Sequence, residues 1–408
     1  MTASAPSRRV CITGAGLVSP IGGDAESRWA ALGDSAGRAA RVDHETYAPF
    51  FIYPVGDFDP SVQIPKPGDQ RAMGPMMLYG VHAAGVALEQ AGIKGEEALL
   101  EQTHMIVAAG GGERDWALDE QIVKGLPGAN DKGAFLNREM ADGLRPTLFL
   151  AQLPNLFAGN ISIVHGVSGS SRTFMGEESA GIDALRIAFD KIEAGQGDIF
   201  LVGAGFNAER PDLHLMYHAA GLLLRDDYAG VWHRPDAGIC LGSAGAFLVI
   251  ESEQSAAERG AQVLGRLSAV ESDRTRRTPG AAKATASGQF ERVKASIGGG
   301  TLGILSGACG SGTITAEEKG FLEAVLDERP DTIVRGTGEA VGHAVEAAFL
   351  QNIILGLDCL DRSRMFPPLA TGEPLEADAG DREVNQILVT GWGHLKGEGM
   401  ALLEKADG

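Results

Sequence analysis

Short runs of apolar residues that end in glycine recur along the chain. They are residues 10–14 (VCITG), 105–110 (MIVAAG), 199–205 (IFLVGAG), 333–336 (IVRG) and 387–391 (ILVTG). Continuous apolar runs of this kind are typical of strands that are buried on both faces of a sheet. Between them lie helical patterns such as residues 78–92 and 179–194, the second of which places Leu185, Ala188 and Ile192 on one face. The alternation of strands with helices predicts a layered α/β fold.

The two halves of the chain repeat this pattern in outline. The strand that begins near Val10 is echoed by one near Val263, and the helix and strand of residues 178–205 are echoed by residues 342–391. We therefore predict a duplicated βαβ architecture with an N-terminal half at residues 1–255 and a C-terminal half at residues 256–408. Residues 111–160 form a strand-poor insertion rich in glycine and proline, and long segments of this kind usually carry a function or an interface.

Composition excludes several classes of protein. The 35 Lys and Arg residues against 54 Asp and Glu residues give 35 − 54 = −19 formal charges, which argues against nucleic-acid binding. No signal-peptide pattern and no apolar window of about 18 residues is present, so we expect a cytoplasmic protein that does not enter the membrane. The four cysteines are far apart and form no C-x-x-C pair, so we expect no disulfide framework, metal site or cofactor.

Five motifs occur in an order that resembles the β-ketoacyl-acyl-carrier-protein synthases, the elongating ketosynthases. They are RRVCITGAGLVSPIG (8–22), VGDFDP (55–60), LPNLFAGNISI (153–163), GICLGSAGAFLVIE (238–251) and VGHAVEAA (341–348). The resemblance implies a thiolase-like α/β fold, in which duplicated βαβ halves form a five-layer αβαβα arrangement.

The resemblance also implies a catalytic set that is only partly present. The family uses a cysteine nucleophile at a helix N-terminus, two histidines and a lysine. Alignment of the residues around the helix places Glu178 in the cysteine position. The first histidine falls on Cys309, although a shift of one residue would place Ala308 there, and the lysine is replaced by Gly338. The second histidine is retained as His343. The chain therefore lacks the nucleophile, one histidine and the lysine together.

Large side chains of the insertion and of the family's gating loop are candidates for the wall of an acyl tunnel. On the family's topology these are Trp116, Leu118 and Phe157 in the insertion and Trp392 in the loop. Packing of the local core explains the three insertion residues equally well. His394 departs from the family's loop pattern, and the sequence assigns it no role.

The missing residues favour a ketosynthase-like subunit that does not condense acyl chains by itself. The resemblance is to the chain-length factor, the partner subunit of polyketide ketosynthases, which carries glutamine in the cysteine position. The expected partners are an active ketosynthase in a heterodimer, or a second copy in a homodimer, together with an acyl carrier protein. Arg274, Arg276 and Arg277 are candidates for docking that acidic carrier.

Two other functions stay open at this point. One is an active β-ketoacyl-acyl-carrier-protein synthase with an unorthodox site that uses Cys309 or Glu178 with His343. The other is a structural or regulatory paralogue without an acyl role. An acyl adduct on the protein would distinguish the enzyme from the other two functions.

Overall fold

The computed structural model describes residues 8–34, 37, 41–144, 148–370 and 372–406. The strands are β1 Val10–Val18, β2 Ile52–Tyr53, β3 His104–Ala109, β4 Ser171–Phe174, β5 Ile199–Phe206, β6 Leu241–Gly242, β7 Ala244–Ser252, β8 Gly265–Asp273, β9 Thr301–Ser306, β10 Ile333–Gly336, β11 Val384–Trp392 and β12 Glu398–Glu404. The helices are α1 Ala25–Gly33, α2 Pro67–Arg71, α3 Pro75–Gln90, α4 Glu97–Gln102, α5 Trp116–Gly125, α6 Lys132–Gly143, α7 Leu148–Ala151, α8 Asn155–His165, α9 Glu177–Glu193, α10 Pro211–Ala219, α11 Glu253–Glu258, α12 Ala281–Val293, α13 Gly312–Glu328, α14 Gly338–Val341 and α15 Ala348–Arg362. Among the described residues, no helix combines the length and apolar character needed to cross a membrane.

The main sheet displays the duplication that the sequence pattern predicts. Its strand order is β10-β9-β11-β12-β8-β1-β7-β5-β3-β4. Outward from the antiparallel β1–β8 pair, the N-terminal half continues through β7, β5, β3 and β4, and the C-terminal half through β12, β11, β9 and β10. In each half the first two pairings are antiparallel and the last two are parallel. The predicted boundary at residue 255 lies within α11, and the two halves share this one sheet.

Helices cover the sheet in layers. α3 and α8 pack on the N-terminal strands around one apolar core, and α12 and α13 enclose a second core on the C-terminal strands. Between the two half-sheets lie α9 and α15, which contact each other inside the largest core. α15 is buried from Phe349 to Leu360, as expected for a helix with apolar neighbours on every side. The layers place the N-termini of α9 and α15 in the centre of the molecule.

The insertion is helical. Residues 111–160 contain α5, α6, α7 and most of α8. α5 and α6 are each preceded by an N-cap aspartate, Asp115 or Asp131, whose carboxylate accepts a hydrogen bond from a backbone N–H of the first turn. Several apolar side chains of this segment are exposed, among them Val123 and Met140. The insertion therefore presents apolar surface that the described residues do not cover.

A buried ion pair connects α1 in the N-terminal half with α15 in the C-terminal half. The Arg28 guanidinium donates two hydrogen bonds to Asp358, each with an N–O distance of 2.7 Å. Both side chains are more than nine-tenths buried. Burial raises the pKa of the Asp358 carboxyl, and Arg28 offsets this only in part. The pair therefore has a high desolvation cost, and removal of one partner would leave a buried charge without compensation.

Candidate active site

The structure builds the candidate site on the N-terminus of α9. The chain enters this helix through Gly176 with φ of 127° and Glu177 with φ of 39°. Positive φ is costly for a non-glycine residue and must be held by the surrounding structure. Val345, just before α15, has the same φ of 39°. Glu178 follows in the first turn of α9 and is 3% exposed.

Two histidines bind the same oxygen of Glu178. His343 Nε2 donates to Glu178 Oε1 across 2.6 Å, and His394 Nδ1 donates to the same atom across 2.8 Å. The backbone N–H of His394 also lies 3.2 Å from Oε1. His343 follows α14, and His394 lies in the loop between β11 and β12. Segments far apart in the sequence therefore converge on one carboxylate.

The histidines stabilise the ionised carboxylate. Burial raises the pKa of Glu178, but the charge of His394 and the hydrogen bonds from both histidines outweigh burial and hold the pKa well below its usual value. Burial lowers the pKa of His394, but the Glu178 carboxylate outweighs it, so the net pKa of this imidazole is raised. The site is thus a buried, ionised carboxylate that accepts hydrogen bonds from two imidazoles.

A mostly apolar cavity of about 360 Å³ opens beside this cluster. Its polar wall includes Glu177, His394, Arg210 and Glu346. Burial raises the pKa of Glu346 to about 7. The apolar wall of the cavity consists largely of Met76, Met175, Phe206, Leu213, Met216, Tyr217, Leu222 and Leu395. A cavity of this size and lining is suited to an apolar chain with one polar end.

Of the residues predicted from the sequence, the structure brings Glu178 and His343 together. Cys309 is 1% exposed. Burial, with a further contribution from the Glu178 charge, raises the pKa of its thiol to about 12. Such a thiol is inert as a nucleophile because the thiolate is the reactive form. The imidazole that accompanies His343 comes instead from His394, to which the sequence assigned no role.

None of the four predicted tunnel residues lines this cavity. Phe157 is completely buried against Phe247, with ring centroids 5.7 Å apart, and Trp392 is buried beside Phe321. Leu118 is also buried, whereas Trp116 is partly exposed at the start of α5. Phe157 and Trp392 are core side chains of this chain, and any tunnel role of the insertion rests on Trp116 and Leu118.

The position of His394 in the sequence offers one indication of a role in the site. It stands two residues beyond the end of β11, which is buried along most of its length. Polar residues just after the carboxyl end of a buried strand often form sites in α/β folds. Its convergence with Glu178 still depends on the packing of β11 beside the N-terminus of α9.

Comparisons with known proteins agree with this architecture. The profile described as "Beta-ketoacyl synthase, N-terminal domain" matches residues 7–256, which is more than half of the chain. The chain belongs to the β-ketoacyl synthase family.

Two similar curated proteins are both named 3-oxoacyl-[acyl-carrier-protein] synthase 2. The one from Rhizobium meliloti (strain 1021) is 30% identical over 63% of this chain and 62% of its own length. The one from Vibrio harveyi is 27% identical over 64% of this chain and 61% of its own length. The aligned region thus spans less than two thirds of these relatives.

Solved structures are similar in fold to this protein over nearly its whole length. "The ishigamide ketosynthase/chain length factor" superposes with a TM-score of 0.77 at 20% identity and covers 98% of this chain and 100% of that chain. A β-ketoacyl synthase from Burkholderia phymatum STM815 gives a TM-score of 0.74 at 18% identity over the same shares. These likenesses confirm the predicted thiolase-like α/β fold.

A second buried carboxylate, Glu318 of α13, makes stability depend on pH. Its Oε1 accepts hydrogen bonds from the hydroxyls of Ser306 and Thr390, each across 2.7 Å, and within the described part of the chain its Oε2 accepts none. Burial raises its pKa to about 7 from an ordinary value of 4.5. Between these two pH values the folded state binds more protons at this site than the unfolded state, so stability falls as pH rises. For Glu318→Gln we expect a gain of roughly 1–3 kcal/mol in unfolding free energy above pH 7, and none near pH 4.5.

The measurement is urea denaturation of wild type and Glu318→Gln between pH 5 and pH 8. Glu323→Gln, at an exposed position of the same helix, is the matched control and should follow the wild-type pH dependence. Equal stability of Glu318→Gln and wild type at pH 8 would contradict a neutral-pH ionisation of Glu318.

Proposed function

We propose that this family member is a ketosynthase-like subunit of fatty acid or polyketide-type chain elongation that does not condense acyl chains alone. It acts as the dimer partner of an active β-ketoacyl-acyl-carrier-protein synthase, in the manner of a chain-length factor. The proposal rests on the burial and the hydrogen bonds of the Glu178 carboxylate. A buried carboxylate occupies the nucleophile position and is held by His343 and His394.

The electrostatics of the site support the loss of condensation. An ionised Glu178 does not form a stable thioester-like intermediate, and it repels the carboxylate of a malonyl group. His343, the family imidazole that is retained and would stabilise developing negative charge, is already bound to Glu178. The buried, high-pKa thiol of Cys309 offers no substitute nucleophile. These features favour the partner subunit over the unorthodox enzyme.

A partner surface is available at one end of the sheet. β4 is the terminal strand of the N-terminal half, and its outer edge is unpaired among the described residues. Beside it, Ile163 of α8 is 68% exposed, and Met175, directly after β4, is also exposed. An unpaired strand edge flanked by exposed apolar side chains is a typical site of chain association. Because Met175 also lines the cavity, a partner bound at this edge would lie close to it.

Two solved structures of similar fold are consistent with such an assembly. One is a ketosynthase/chain length factor, and another is a type II polyketide synthase acyl carrier protein in complex with its ketosynthase, with a TM-score of 0.72 at 19% identity.

For carrier docking, two of the three candidate arginines are engaged within the chain. Arg274 pairs with Asp183 across 2.6 Å and Arg277 pairs with Glu398, whereas Arg276 is exposed. Arg276 is therefore the candidate that we retain for docking.

Introduction of a positive charge at the apolar edge tests the partner role. The chain is co-expressed with a ketosynthase of the same genome that has an intact cysteine and both histidines. We expect the two to co-purify, and we expect Ile163→Lys to weaken the complex at least about tenfold, because an unpaired ammonium would be desolvated in the interface. Val62→Lys is the control, since Val62 is also 68% exposed but lies in the turn after β2.

The result is read by size-exclusion chromatography and by titration of the purified subunits. If Ile163→Lys and Val62→Lys associate with the ketosynthase as the wild type does, the β4 edge is not the interface. A wild-type chain that forms only dimers with itself would contradict the heterodimeric role and favour the homodimer.

A further inference from the structure

Glu178, His343 and His394 form a cluster with the composition of a metal site. One ligand atom from each residue, an oxygen and two ring nitrogens, lies within 4.8 Å of the other two. The three side chains are all buried. They are held by the first turn of α9, the turn after α14 and the β11–β12 loop, so the fold itself fixes their relative positions.

The donor atoms favour a particular class of cation. Two imidazole nitrogens and one carboxylate oxygen are the three protein ligands of many zinc sites. Hard cations such as Mg²⁺ and Ca²⁺ prefer sites made of oxygen alone. We propose that Glu178, His343 and His394 form a binding site for one divalent cation of the Zn²⁺ type.

An unpaired oxygen supports this proposal independently of the clustering. Glu178 is 3% exposed, yet no described residue forms a hydrogen bond with its Oε2, while Oε1 accepts hydrogen bonds from both histidines. An unpaired buried carboxylate oxygen is costly. A cation placed between the three side chains would be coordinated by this carboxylate. Two metal–nitrogen bonds would replace the two hydrogen bonds to Oε1, and the proton on each ligating nitrogen would pass to solvent or to the other nitrogen of the same ring.

A second carboxylate lies on the far side of the His394 ring. The Nε2 atom of His394 lies 4.0 Å from a carboxylate oxygen of Glu177, which is longer than a hydrogen bond, and its Nδ1 faces Glu178. A carboxylate behind the second ring nitrogen is the common outer partner of a metal-binding histidine and fixes which nitrogen binds the metal. Glu177 and His394 also line the cavity. A fourth ligand, such as water, can therefore approach from the cavity side, as in zinc sites with an open position.

The adjustment needed for binding is small. With metal–ligand distances of about 2.0–2.1 Å, tetrahedral ligands lie about 3.3 Å apart. The present nitrogen–oxygen distances are 2.6 and 2.8 Å, so each must lengthen by about half an ångström or slightly more.

Titration of the full chain with zinc tests the proposal. The protein is prepared without a histidine tag, stripped with a chelator, and titrated with Zn²⁺ alone in a calorimeter. We expect one ion per chain, and we expect His343→Ala and His394→Ala each to lower the affinity at least about 100-fold. Glu177→Gln, which removes only the outer carboxylate charge, should lower it by about 10- to 100-fold.

Cobalt provides a second readout that does not depend on activity. Co²⁺ bound to the wild type should give the visible absorption of a tetrahedral nitrogen and oxygen site, and this absorption should be lost in the isosteric Glu178→Gln variant. His233→Ala is the control, because this exposed histidine contacts Glu373 outside the cluster and its loss should leave Zn²⁺ affinity unchanged. Circular dichroism verifies that every variant is folded. Absence of stoichiometric Zn²⁺ binding to the wild type, or unchanged affinity in folded His343→Ala and His394→Ala, would overturn the proposal.

Discussion

Purified protein incubated with an acyl-acyl-carrier protein is expected to carry no covalent acyl group. Condensation with malonyl-acyl-carrier protein should be at least about 10⁴-fold slower than with an active ketosynthase, because catalytic residues that act as a unit fail together when the nucleophile is lost. Glu178 is ionised and bound to His343 and His394. With a pKa of about 12, Cys309 has only about one thiolate in 10⁴–10⁵ molecules at pH 7.5.

Intact-protein mass spectrometry and product analysis check this expectation. Glu178→Cys is the informative variant, since it places a thiol at a helix N-terminus beside two imidazoles, an environment that lowers thiol pKa values. We expect that variant, unlike the wild type, to take up a single alkyl group from iodoacetamide at the substituted position. An acyl adduct on wild-type Cys309 or Glu178 would show that an unorthodox enzyme is the better description.

Asp358→Ala is expected to lower the unfolding free energy by about 3–5 kcal/mol, because it leaves the Arg28 guanidinium buried without its partner. The pair is bidentate, and both side chains are less than one tenth exposed. It connects α1 to the central helix α15, so its loss weakens the contact between the two halves. Simultaneous replacement by Arg28→Met and Asp358→Leu should cost less than Asp358→Ala alone, since no unpaired charge remains.

Urea denaturation followed by circular dichroism measures both variants. The matched control is Glu120→Ala, which breaks the exposed pair of Glu120 with Lys124 on α5 and should change stability by no more than about 1 kcal/mol. If Asp358→Ala is as stable as Glu120→Ala, the buried pair has no role in holding the halves together.

Much of the fold was accessible from local pattern. The glycine-ended runs at residues 10–14, 105–110, 199–205, 333–336 and 387–391 all lie at strands of the main sheet, in part or in full. Such runs report directly on burial from both sides. The repeated unit of a central helix followed by a strand was also recognisable from the sequence. Its two copies are α9 with β5 and α15 with β11, and each copy has the apolar spacing of a helix followed by that of a strand.

The candidate site was accessible only in part. Alignment to the family motifs located Glu178 and His343, since both lie in segments with anchoring glycines. The structure found the second imidazole in His394 and placed Phe157 and Trp392 in the core. These outcomes depend on which side chains face each other across the layers, and this is not encoded in the spacing along one strand or helix.

The sequence by itself indicated a layered α/β fold, its duplication and the family, and alignment to the family motifs placed Glu178 in the cysteine position, because each of these rests on local pattern or on aligned motifs. Only the tertiary structure decided that Glu178 is buried, ionised and shared by two histidines from distant segments. Burial and the charges of neighbours set the pKa values and hydrogen bonds of such a group. Both are fixed when the two half-sheets close on α9 and α15.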